Sequence, residues 1–99
     1  MAEQHAAKGN VTLLRVSPHY GYGPPGDHLD AQVVITIDTQ PGMAFGFNLT
    51  AGSPELPSQL AMLATVRDAY IHKLPIGFGY SIEQGKKTGL IFTIDLASQ

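Results

Sequence analysis

The stretch His19-Tyr20-Gly21-Tyr22-Gly23-Pro24-Pro25-Gly26-Asp27-His28 gathers the chain's densest set of recognition-type side chains. Tyr20 and Tyr22 offer flat faces to a sugar or a base, and His19, Asp27 and His28 supply directed hydrogen bonds. Proline fixes φ and glycine admits positive φ, so the segment reads as an irregular loop rather than a strand or helix. A loop this long in a small domain is either functional or disordered. The competing reading is a loop ordered by a subunit contact, with its tyrosines packed there. Zinc is a weaker option. His19, Asp27, His28 and Asp30 are acceptable ligand types, but their spacing matches no ligand pattern. No metal is therefore assigned.

Catalysis finds little footing. Asp68 and His72 sit one turn apart on a helical stretch, a spacing that normally gives a solvated pair. There is no cysteine, no Gly-x-Ser-x-Gly elbow and no phosphate loop. The expectation is a protein that is not an enzyme and needs no cofactor. The net charge of −2, with six Lys and Arg in all, argues against a nucleic-acid partner, because phosphate binding rests on clustered cations. No run approaches about 18 apolar residues, so no membrane span is expected. The polar start at Met1 to Gly9 lacks a signal-peptide core. With the absence of cysteine, this suggests a soluble, cytoplasmic protein of bacterial type, although export by another route stays open.

The elements that must position the loop are readable from periodicity. Met1 to Gly9 reads as a flexible tail, and residues 10–99 as one domain. Asn10 to Val16 is a first strand. Gln32 to Asp38 carries the β-branched run Val33-Val34-Ile35-Thr36-Ile37 and reads as a central strand. After the Gln40-Pro41-Gly42 turn, Met43, Phe45, Phe47 and Leu49 alternate with small or polar residues, the period of a third strand. Pro57 to Lys73 has helical spacing, with Pro57 suited to the first turn. Beyond Pro75, Ile76, Phe78, Tyr80 and Ile82 alternate with Gly77, Gly79 and Ser81. Leu90 to Leu96 makes a fifth strand. Glycines on one face of the fourth strand leave room for another backbone, helix or ligand, or else mark a sharp barrel bend.

Strand–strand–strand–helix–strand–strand is the order of a small five-stranded barrel, mainly β, with one helix between strands three and four, and the resemblance given below implies the OB-like Greek-key form of it. In such barrels the loops after strands one and four flank the binding face; here those are Ser17 to Asp30 and Glu83 to Gly89. The apolar arc of the helix is wider than the roughly 100° stripe of a one-sided surface helix. With 43% hydrophobic and only 14% charged residues, the surplus apolar area points to burial against further copies of the chain. Met62, Val66, Arg67 and Ala69 are the positions expected at that contact. Arg67 either lines a watery channel or lays its stem over apolar surface with its head in solvent.

Ala69-Tyr70-Ile71-His72-Lys73-Leu74-Pro75-Ile76, at the step from helix into a Gly/Tyr strand, resembles the OB-fold B-subunit-like small bacterial proteins. Those are related in shape to the pentameric B subunits of A–B type bacterial toxins. Pro41-Gly42-Met43-Ala44-Phe45-Gly46-Phe47 resembles the third strand of small bacterial members of that group. The resemblance spans Asn10 to Leu96 and implies a ring of five copies with helices lining a pore. The chain lacks the export signal and disulfide of the toxin subunits, which counts against a toxin role. No sugar-binding motif of theirs can be carried over. The expected function is a non-catalytic, oligomeric binding module for a small molecule or glycan. The alternative is a structural or protein-interaction protein without a pocket.

Overall fold

The computed structural model describes residues 2–17, 31–49, 52–83 and 85–96. It is mainly β: five strands, β1 (Ala2–Val16), β2 (Val33–Ile37), β3 (Ala44–Phe47), β4 (Pro75–Glu83) and β5 (Thr88–Asp95), with one helix, α1 (Leu56–His72), between β3 and β4. The strands close in the order β1-β2-β3-β5-β4. All pairings are antiparallel except β3 with β5, which is parallel. This is the expected OB-like barrel.

Closure depends on β1 serving two neighbours. Its first half pairs with β4 from Ala2↔Glu83 to Asn10↔Pro75. Its second half pairs with β2, from Val11↔Ile37 to Val16↔Val33, after a register shift that leaves Thr12 as the extra residue. An extra residue bends the strand and strengthens its twist, which lets one chain segment turn a barrel corner. The segment expected as a flexible tail is therefore corrected: residues 2–10 are barrel strand. Ala, Glu, Gln and Lys are weak strand formers, and pairing with β4 overrides that weak preference.

The corner is tied down by polar groups. The Asn10 N–H donates to Asp38 Oδ1 at 2.9 Å, and Asn10 Nδ2 donates to the Lys73 carbonyl at 3.0 Å. Thr39 Oγ1 donates to the Lys8 carbonyl at 2.6 Å. Gly9 leaves room for these bonds, since a Cβ would lie 2.7 Å from Asp38 Oδ1 and 2.8 Å from Thr39 Oγ1. Gly9→Ala would push both side chains off their bonds. Each net hydrogen bond contributes about 1 kcal/mol, so a urea titration should show a loss of about 1–2 kcal/mol with an unchanged slope. An unchanged midpoint would mean that the corner holds without those two bonds.

Inside the barrel, Val33, Ile35, Ile37, Phe45, Phe47, Ile76, Phe78, Tyr80 and Ile91 share one core. Val34, Ala44 and Ala31 form a second small buried cluster, and strand alternation puts it on the opposite face of β2 and β3. The helix adds Val66 and Ala69 to the main core, with Met62 and Leu63 packed against it. It begins with Pro57 in its first turn and ends at Lys73, which adopts φ 57° and donates its N–H to the Ala69 carbonyl. Leu74 N–H reaches the same carbonyl at 2.9 Å, and Pro75 then opens β4. Among the described residues, no helix is long and apolar enough to cross a membrane.

Candidate functional site

The structure redistributes the residues singled out from the sequence. His19, Tyr20, Tyr22, Asp27 and His28 lie outside the described residues, as does Asp30. Among the described residues no three His, Asp or Glu side chains converge on one point. Asp68 and His72 are both exposed on α1.

Of the four positions expected at an oligomer contact, three are spent on the barrel itself. Val66 is 0% exposed and Ala69 1%, and Met62 packs on the same core. The wide apolar arc of the helix spans two faces, one packed on the barrel and one left exposed. Leu60, Arg67 and Ile71 lie about 100–140° round the helix from Val66 at 100° per residue, and all three are exposed. Tyr70 and Leu74 extend this exposed apolar surface at the helix end.

On the glycine face of β4, Gly79 sits at a strand irregularity of the kind that bends a barrel, and a side chain of the same chain covers it. Between Gly79↔Thr93 and Tyr80↔Ile91 the register shifts, leaving Phe92 as the extra residue of β5. The Phe92 ring lies over Gly79: a Cβ there would be 2.8 Å from Phe92 Cε1. The space above Gly79 is thus filled by a side chain of the same chain. The side chain is still 49% exposed. The shift also turns Ile91 inward, while Leu90 stays outside with Phe92.

Phe92 forms one wall of a groove of about 420 Å³ between β5, the end of β3 and the start of α1. Phe47, Met62 and Ile91, all packed in the core, make its floor. Leu90 and Phe92 supply exposed apolar surface, and Asn48, Glu55, Ser58 and Gln59 supply polar groups. Asn48 is anchored, since its Oδ1 accepts the Gln32 N–H at 3.2 Å, while Gln32 Oε1 accepts the Leu49 N–H at 2.7 Å. Glu55 heads the helix without a side-chain capping bond. Its backbone N–H is taken by Ser53 Oγ at 3.1 Å, and no contact among the described residues engages its carboxylate.

Two other recesses lie elsewhere on the barrel. One of about 370 Å³ is lined by Thr12, Thr36 and Asp38, among others. There the two threonine hydroxyls bond each other at 2.6 Å, and Asp38 is committed to Asn10. The other, about 540 Å³, lies at the end of α1 between Asn10, Val11, Tyr70, Ile71 and Lys73. Its Asn10 amide is committed to the Lys73 carbonyl.

Of the groove residues, only Met62 was given a binding or contact role from the sequence. Two signals pointed there. β5 is apolar on both faces around Leu90-Ile91-Phe92, and the polar run Glu55, Ser58 and Gln59 sits at the helix start. No protein-family model, curated protein or solved structure matches the chain.

Proposed function

We propose that this chain is a non-catalytic binding module that holds a small molecule or glycan in the groove between β5 and the start of α1. One observation carries the reading: the Phe92 ring is pressed onto Gly79 and faces a groove edged by Asn48, Glu55, Ser58 and Gln59. A flat aromatic face with a few convergent planar polar groups is the usual composition of a small-ligand site. Sugars suit it, since their C–H faces stack on rings while their hydroxyls take directed hydrogen bonds. A saturation-transfer experiment with a panel of neutral methyl glycosides tests this. Binding that disappears in Phe92→Leu supports it, and no transfer to any member of the panel sinks it.

The module works as a homo-oligomer, a ring of five copies with α1 toward the axis, in keeping with the toxin-subunit resemblance. The exposed surface of Leu60, Tyr70, Ile71 and Leu74 supports assembly, and in such a ring Arg67 on the same stripe would line a watery channel. Light scattering on the eluting peak should give about five chain masses. Ile71→Asp, at a side chain 62% exposed, should lower that mass without unfolding the barrel, since burying an unpaired carboxylate costs several kcal/mol. A wild-type monomer would end the ring proposal. The same apolar surface favours one second reading, a protein-interaction role in which the helix face meets a different partner.

A further inference from the structure

Glu55 gives the groove a preference that its shape alone does not. It is the one charged residue lining the groove among the described residues, and its carboxylate has no ion pair or hydrogen bond there. Phe92 lines the same groove; its ring lies against Gly79 and the side chain is 49% exposed. An aromatic face carries negative electrostatic potential and attracts cations within about 6 Å of its centre. A carboxylate and an aromatic face sharing one groove therefore favour the same ligand charge. Leu90 and Met62 add apolar surface for the body of such a ligand.

We propose that the groove selects ligands bearing a protonated amine on a polar or sugar-like body, with Glu55 as the specificity-determining residue. This inference rests on the groove being the binding site. Asn48, held by the Gln32 N–H, and Gln59 address the ligand's hydroxyls. Anionic ligands of the same shape are rejected, because they would meet Glu55 with no lysine or arginine in the described lining.

The test compares three sugars of one ring size and different charge by isothermal or NMR titration: glucosamine, N-acetylglucosamine and glucuronate. The expected order is the amine first, the neutral amide second and the acid last. Glu55→Gln should weaken glucosamine about three- to fivefold, the scale of an exposed ion pair, and leave N-acetylglucosamine within twofold. The glucosamine advantage should shrink at high salt, where exposed charges are screened. Phe92→Leu, which keeps apolar cover over Gly79 while removing the ring face, should weaken both sugars. Equal binding of glucosamine and N-acetylglucosamine, unchanged by Glu55→Gln, would overturn the amine preference and leave the groove as a neutral-sugar site. Absence of binding by all three sugars would overturn both. Glu55 is exposed and makes no capping bond, so loss of fold does not confuse the Glu55→Gln result.

Discussion

Phe45→Ala is expected to destabilise the barrel by about 4 kcal/mol, within the range for deleting a buried aromatic ring. Phe45 is 0% exposed and meets two other rings edge-on, Phe78 at 4.9 Å between centroids and Tyr80 at 4.7 Å. Such aromatic pairs add about 0.5–1.5 kcal/mol beyond area burial. Truncation also leaves a hole that a closed barrel cannot easily collapse, because each wall strand is held on both sides. Domains of this size gain only about 5–15 kcal/mol from folding. At roughly 4–8 °C per kcal/mol, the melting temperature should fall by about 15–30 °C. Calorimetry or a denaturant titration checks it. A loss below about 2 kcal/mol would mean the three rings do not form one packed unit.

The second large effect is Gly89→Val, and here two physical tendencies oppose each other. Valine is a good strand residue, and strand preference alone would favour the change by up to about 1 kcal/mol. Steric fit says otherwise. A Cβ at Gly89 would lie 2.9 Å from Tyr80 Cδ2, 3.1 Å from the Ser81 carbonyl oxygen and 3.4 Å from Phe45 Cδ1. A ring can shift, but the Ser81 oxygen is backbone within the β4–β5 ladder, so the strands would have to part. Overpacking of this kind costs about 1–3 kcal/mol, and with two added methyl groups the upper end is expected. Gly89→Ala should cost less. Combining Gly89→Ala with Tyr80→Leu should recover part of the loss, because the two sites touch and their effects are not additive. A Gly89→Val protein as stable as the wild type would mean that β5 does not run this close to β4.

The sequence made some elements plain and hid others for identifiable reasons. β2 was legible because Val33 to Ile37 is β-branched throughout, and β4 because Ile76, Phe78, Tyr80 and Ile82 alternate with small residues. The helix was placed within one residue, since Pro57 and Pro75 bracket it. The first half of β1 was hidden by its composition: Ala2 to Asn10 becomes strand only by pairing with residues 75–83. In α1, periodicity showed that much of the surface was apolar but not which part met the barrel. Val66 and Ala69 turned out to be inside, and Leu60 and Ile71 outside. The groove was the least visible feature. Its parts come from residues 47–48, 55–62 and 90–92, which only barrel closure brings together. The shift that leaves Phe92 over Gly79 leaves no trace in an alternating pattern.

The divided loyalty of β1 also governs the order in which the barrel is made. Its second half meets β2 soon after both leave the ribosome. Its first half has no partner until residues 75–83 have been synthesised. Until then residues 2–10 are an unpaired strand awaiting the hairpin of β4 and β5. Contacts of such wide sequence separation form slowly, and exposed strand edges on unfinished chains invite association with other copies.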